Sequence, residues 1–241
     1  MTRIDVKGLS FRQVNEKIEQ THDGDIVLEN VCGQRYIGVG SSGRHLVIEG
    51  VPGNALGAYL DGTVIEVSGN AQDATGDTMN DGEILVGGSS GDATGYAMRG
   101  GRIFVRGNVG YRAGIHMKAY QEKIPAVVIG GEAGCFLGEY QAGGRIVVLG
   151  LGVEGRAPVD TFCATGMHGG AIYLRSDVLP DDLPSQVVAR RATAEDLADI
   201  ETYVLPFCAR FGLDAASVMD HNFYCLKPNT NNPYKQLYTQ N

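Results

Sequence analysis

The chain has 241 residues, 43% of them hydrophobic, a formal charge of -8 and an isoelectric point near 5.1. That supplies apolar material for one large or two small folding units, while the acid excess without any run of Lys and Arg argues against nucleic acid as a partner. No apolar run reaches the roughly 20 residues of a membrane span, and five scattered cysteines without a C-x-x-C (Cys32, Cys135, Cys163, Cys208, Cys225) fit reduced thiols better than a disulfide frame or zinc site.

The opening MTRIDVKG alternates charged and apolar residues instead of starting a signal peptide, so the expected location is the cytoplasm. Residues 10–20 predict a helix: Ser10 can cap, Gln13 completes an S-x-x-Q box, and Phe11, Val14 and Ile18 share one side. Residues 1–40 are therefore expected to form an N-terminal helix and cap.

From about residue 41 to 176 the composition changes character. The chain has 35 glycines and no tryptophan, and most of that glycine falls here among valines and isoleucines. Seven pairs of apolar residues two apart mark short strands: Leu46/Ile48, Ile65/Val67, Ile84/Val86, Ile103/Val105, Val127/Ile129, Ile146/Val148 and Ile172/Leu174. Their first members are separated by 19, 19, 19, 24, 19 and 26 residues, one unit repeated with two insertions. Glycines keep the same step, and Gly53, Gly57, Gly76, Gly91, Gly95, Gly110, Gly114, Gly134, Gly138 and Gly166 are expected structural turn glycines, needed for positive φ or close approach. The stretch GRIVVLGLGVEG has the G-x-G-x-x-G spacing of a phosphate loop at Gly150, Gly152 and Gly155, but it is the sixth copy of the unit, and Pro158 argues against the helix such a loop must open.

A period near 20 with recurrent turn glycines predicts an all-β fold, a β-solenoid of about seven coils over residues 41–176, with the paired residues stacked as internal ladders. Between each pair lie Val47, Glu66, Leu85, Phe104, Val128, Val147 and Tyr173, which point the other way. All but Glu66 are apolar or aromatic, so this face is expected to be covered by the chain's own terminal segments or by another protein. Met79, Met98, Met117 and Met167 recur as a column that fills a corner rather than a soft-metal site, and Asp73, Asp77, Asp81 and Asp92 follow the repeat as turn residues rather than a calcium motif.

Residues 177–241 read as a linker, a helix and an extended tail. Pro180 and Pro184 mark the linker. Thr193 with Asp196 makes a second capping box, and Leu197, Ile200 and Val204 form a stripe that Pro206 ends or kinks. A short helix is expected from Asp214 towards His221, and the tyrosine-rich end has little helical pattern. No G-x-S-x-G elbow, P-loop lysine or cysteine with an identifiable base is present, and His22, His45, His116, His168 and His221 stand apart in sequence. No catalytic, cofactor-binding or metal-binding residue is expected on this chain. Phe104, Tyr173, Tyr224, Tyr234 and Tyr238 are the candidate interface residues.

The units GNAQDATGDTMNDGEILVGG, GDATGYAMRGGRIFVRG and ATGMHGGAIYLR resemble the G-x-G-x-G β-helix domain at the C-terminal end of the large glutamate synthase subunit, and its free-standing versions. FGLDAASVMDHNFYCLKP and NPYKQLY resemble the tail that follows it. The resemblance implies a single-stranded right-handed β-helix without catalytic residues. It is strongest to the free-standing β-helix protein of N-methylglutamate synthase, which implies a hetero-oligomer with an amidotransferase-like subunit and a glutamate-synthase-like subunit that holds FMN and an iron-sulfur cluster. Two alternatives stay open: the glycine-rich subunit of formylmethanofuran dehydrogenase or its formyltransferase/hydrolase counterpart, and an independent β-helix binding module.

Overall fold

A computed structural model of the chain describes residues 1–229. Strands β1 (Thr2–Asp5), β2 (Asp25–Cys32), β3 (His45–Val51), β4 (Asp61–Val67), β5 (Asp81–Val86), β6 (Arg102–Val105), β7 (Ala126–Ile129), β8 (Ala142–Val148) and β9 (Gly169–Arg175) lie side by side in chain order. All are parallel. Two further strands, β10 (Val187–Arg191) and β11 (Phe223–Pro228), close the series, with β11 seated between β9 and β10 and antiparallel to both. Helices α1 (Phe11–Gln20), α2 (Ala194–Phe211) and α3 (Ala215–Met219) complete the described chain.

The ladder expected from the apolar pairs is present in register. Leu46, Ile65, Ile84, Ile103, Val127, Ile146 and Ile172 are successive partners across β3 to β9, and Ile48, Val67, Val86, Val105, Ile129, Val148 and Leu174 form the second row. Apart from Val67, which is 3% exposed, these side chains are fully buried, each worth roughly 1.5–3 kcal/mol.

The expected β-solenoid of about seven coils is corrected by the sheet itself. The described chain builds one open, mostly parallel sheet of eleven strands with a few helices, and the strands that flank the repeat at both ends come from outside residues 41–176. Ile26 and Leu28 of β2 extend the ladder before Leu46 and Ile48, and β11 extends it antiparallel beyond β9. The segments that return the chain from one strand to the next are turns rather than strands, with isolated β-bridges running Ala71 to Ser90 to Val109 to Ala133 to Val159.

Turn stacking depends on backbone hydrogen bonds between successive turns. In one row Ala55, Ala74, Ala93, Arg112 and Phe136 each donate their N–H to a carbonyl of the following turn, at 2.7–3.0 Å. Side chains add a second set. Asp73 accepts from the N–H of Asp92, Asp92 from that of Tyr111, Asn70 from Ser89, and Asn108 from Glu132, at 2.8–3.0 Å. The turn aspartates Asp73 and Asp92 thus serve the next turn's backbone, which explains Gly91: a Cβ there would lie 2.2 Å from Asp73 Oδ1. Gly76 answers to the inner ladder instead. Its φ is +71°, and a Cβ would stand 2.3 Å from Ile103 Cδ1. Met79, Met98, Met117 and Met167 are buried in the same core.

The opposite face of the sheet is covered by the chain's own end. Ile200, Tyr203, Val204, Phe207 and Cys208 of α2, with Val218 of α3 and Phe223, bury Leu85, Phe104, Val128, Val147 and Tyr173. Phe207 meets Phe104 edge to face, with ring centres 5.9 Å apart. Polar ties fix the helix: Arg145 and the Tyr173 hydroxyl both donate to Asp199, the latter at 2.6 Å, and Arg210 pairs with Glu83 at 2.6 Å. Both capping boxes form, at Ser10/Gln13 and Thr193/Asp196, and α3 is capped by Asp214. Pro206 does not end α2, which runs on to Phe211 because Phe207 and Cys208 are buried against the sheet.

Asp196 lies almost wholly buried where α2 meets β10 and β11. It accepts from Arg190, from Thr193, and from Lys227 at 3.1 Å. Burial alone would raise its pKa; the bonds from Arg190, Thr193 and Lys227 outweigh that and hold the carboxyl far below the usual carboxylate range.

A pKa lowered on folding gives stability that is present above about pH 4 and lost as pH falls below it. Asp196→Asn is therefore expected to cost about 3 kcal/mol at neutral pH and to flatten the loss of stability on acidification, read by urea unfolding at several pH values. Gly76→Ala, strained and overpacked, should lower unfolding free energy by about 2 kcal/mol or more, against little change for Gly24→Ala, which has open space and no positive φ.

Candidate partner-binding surface

The structure separates the expected interface residues. Phe104 and Tyr173 are 0% and 1% exposed, sealed beneath α2, so the contact they make is within the chain. Of the two covers expected for this face, the chain's own terminal segments or another protein, the structure has the first: it is covered from the chain's own C-terminal part. Tyr173 is further committed, since burial and then its bond to Asp199 push the phenol far above its usual pKa. Tyr224 is half-buried on β11, with the Arg191 guanidinium 4.9 Å from its ring centre. Tyr234 and Tyr238 lie outside the described residues. The ten turn glycines sit in the return turns; Gly57, Gly76, Gly95, Gly114, Gly138 and Gly166 have positive φ, and Gly53, Gly91, Gly110 and Gly134 face neighbouring turns closely.

A different set of aromatic residues reaches the surface. Tyr36, Tyr59, Tyr96, Tyr111, Tyr140 and Phe162 are 36–54% exposed, all on return turns. Each turn places left-handed residues at alternate positions, as in Arg112, Gly114 and His116, or Phe136, Gly138 and Tyr140. The middle residue points at the inner ladder, which only glycine allows beneath a following isoleucine. The outer two stand away from it. Because successive turns stack about 4.8 Å apart, like positions fall over one another and their side chains form rows.

Two rows result. Tyr111 meets Phe136 edge to face at 5.3 Å, and Phe136 stacks on Phe162 at 4.8 Å. Tyr96 meets His116 at 6.0 Å, and His116 stacks on Tyr140 at 5.3 Å with the rings 10° from parallel. Arg112 lies along the first row: its guanidinium is 4.7 Å from the Tyr111 ring centre and 5.4 Å from that of Phe136, while Nε pairs with Glu139 at 2.7 Å. Residues bulky enough to sit uneasily at positive φ, such as Phe136 and Phe162, carry this surface. The signal available in sequence was an aromatic residue two places from a turn glycine, as in F-x-G-x-Y at Phe136 to Tyr140.

His116 is engaged in the aromatic row, and His168 Nδ1 lies 3.1 Å from the Gly166 carbonyl. Burial pushes the Cys163 thiol up to about 12 and that of Cys225 up to about 11, far from a thiolate at neutral pH. Among the described residues no group of three or more His, Cys, Asp and Glu is placed to hold a metal ion, and no helix is long and apolar enough to cross a membrane. Beside the aromatic rows, a cleft of about 730 Å³ opens between the turn at Val159 to Thr161 and the segment Val178 to Asp182.

The stacked glycine turns are matched by the model of the GXGXG motif family over residues 13–230. The chain belongs to the GXGXG family. A relative from Methanocaldococcus jannaschii, itself described as an uncharacterized protein, is 45% identical over 249 residues, covering 98% of this chain and 95% of the relative. Among solved structures, a chain of the formyltransferase/hydrolase complex from Methylorubrum extorquens in complex with methylofuran superposes with a TM-score of 0.64. It covers 92% of this chain and 88% of that one at 16% identity, a likeness of fold.

The two kinds of aromatic residue in this GXGXG chain should respond differently to truncation. Phe104→Ala is expected to cost about 3–5 kcal/mol in urea unfolding, and Phe162→Ala under about 1 kcal/mol.

Proposed function

We propose that this GXGXG-family chain is a non-catalytic, structural subunit of a multi-subunit enzyme of the glutamate synthase type. The observation that carries the proposal is the surface of stacked turns. Tyr111, Tyr140 and Phe162, with Arg112, lie half-open along successive turns of an acidic chain whose other sheet face is already covered. Aromatic and arginine side chains are the residues that protein interfaces concentrate, and a stiff stack bound through backbone hydrogen bonds can hold two other subunits in fixed relation.

The specific form proposed is N-methylglutamate synthase, supported by the resemblance of the units around Gly76, Gly95 and Gly166. In that assembly an amidotransferase-like subunit would sit against one that holds FMN and an iron-sulfur cluster, and the amino group of glutamate would be exchanged for methylamine with release of ammonia. The cofactors belong to the partner. This chain would act in the cytoplasm and contribute position: it keeps the two sites at a set distance and shields the path between them. A second reading, membership of a formyltransferase/hydrolase complex, is favoured by the fold shared with a chain of that complex.

The test is purification of the native assembly through a tag on this chain. Flavin absorbance in the purified complex, and formation of N-methylglutamate from glutamate and methylamine, are expected. Glutamate formation from glutamine and 2-oxoglutarate without use of methylamine would place the complex with ordinary glutamate synthase. Formyl transfer by a flavin-free complex would favour the second reading, and a chain that purifies alone would end both.

A further inference from the structure

Three rows of backbone N–H groups bind each return turn to the next, and all three come to an end at the last turn. In the first row Ala71, Ser90, Val109 and Ala133 donate in succession to the carbonyls of Ser89, Asn108, Glu132 and Pro158. Val159 is the next member and has no acceptor among the described residues. In the second row the donors run from Tyr36 to Phe136, and the last member, Phe162, donates to Asp182 Oδ2 at 2.5 Å. A carboxylate there takes the place that a following turn's carbonyl takes elsewhere. In the third row Tyr59, Thr78, Ala97, His116 and Tyr140 donate in succession, and the next member, Gly166, has no acceptor among the described residues.

The cleft lies where a further turn would stack on the first row. Val159, Asp160 and Thr161 form its floor, and Val178 to Asp182 form one side. Gly155 and Arg156, part of the insertion that lengthens the repeat before β9, form another. That insertion holds Gly152 and Gly155 of the G-x-G-x-x-G stretch, both at positive φ, and Gly155 lines the cleft. The lining is apolar at Val109, Ala133, Val159 and Leu179. Its charge is one-sided. Arg156 is paired with Glu132 at 2.6 Å, whereas Asp160, Asp181 and Asp182 have no cationic partner among the described residues.

We infer that this cleft receives an extended, lysine- or arginine-bearing segment of a partner protein in the assembly, whose carbonyls continue the turn ladder at Val159. The reading rests on the subunit role proposed above and names the chemistry of one contact in it. Addition of an extended segment to an open hydrogen-bonding edge is an established mode of peptide recognition, with affinity from main-chain bonds and selection from side chains. Here the N–H of Val159 supplies the edge, the apolar floor takes alternate side chains, and the three carboxylates select a basic segment over an acidic one.

The probe is the peptide acetyl-Lys-Val-Lys-Val-Lys-amide added to the full chain, with the Glu-for-Lys peptide as its counterpart and amide hydrogen exchange as the readout. The basic peptide is expected to bind saturably and slow exchange at Val159 by about tenfold or more. The acidic peptide should do neither. Asp181→Lys, at an exposed residue, should abolish that protection without shifting the melting temperature, while Glu201→Lys on the outer side of α2 should leave it intact. The inference is overturned if the basic peptide fails to bind, if it binds without slowing Val159, or if Asp181→Lys is protected equally. Protection that grows with protein concentration in the absence of peptide would assign the cleft to a second copy and overturn it as well. A native flavin-bearing assembly in which Val159 exchanges as fast as in the isolated chain would remove this contact and leave the subunit role standing.

Discussion

The structure depends on one requirement: the N–H groups of each return turn must find carbonyls on the turn that follows. These turns lie between strands and have no helix to satisfy their own backbone, so an unpaired donor in the interior would cost about 1–3 kcal/mol. Keeping every turn in step fixes the spacing between apolar pairs, and that spacing fixes which isoleucine lies over which. Glycine appears wherever the next layer leaves no room. Gly91 is without a side chain because Asp73 reaches under it to the next amide, and Gly76 because Ile103 fills the space beneath. The same rule admits Ala164 in the last turn, at the place held by Gly138 in the turn before: both have positive φ.

The two insertions in the repeat obey this requirement while departing from the period. The one before β7 folds back so that Lys123 pairs with Asp81 at 2.8 Å and stands 3.7 Å from Asp61, a clasp across earlier turns. The one before β9 lines the cleft at the last turn with Gly155 and Arg156. The covering helix α2 solves a different problem. Strands buried on one side only would leave Leu85, Phe104, Val128 and Val147 in water, and a helix stitched by Asp199 and Arg210 removes them from it.

Much of this was legible in sequence, for identifiable reasons. Apolar residues two apart, repeated at a constant step, predict both strands and their alignment, since a one-residue slip would turn Ile65 or Ile84 to the wrong face. The capping boxes at Ser10 and Thr193 predicted helix starts that the structure contains. What failed was whatever depended on segments outside the repeat. Strands β1, β2, β10 and β11 lie outside residues 41–176, so an open sheet extended at both ends was read as a solenoid with covers. The aromatic residues show the same limit. Phe104 and Tyr173 face away from the ladder as expected, but which segment lies over them is a tertiary fact; Phe136 and Phe162 reach the surface through left-handed backbone that bulky residues seldom adopt.

The position of β11 between β9 and β10 has a consequence for how the molecule is made. Nine strands can join their neighbour in the order they are synthesised, each adding to an edge already in place. The tenth cannot: among the described residues β10 is bonded only to β11, which emerges some thirty residues later, after α2 and α3. During translation the chain therefore carries an open edge at β9 until β11 arrives, and β10 and the buried carboxylate of Asp196, which bonds to Arg190 and Lys227, reach their described places only with it.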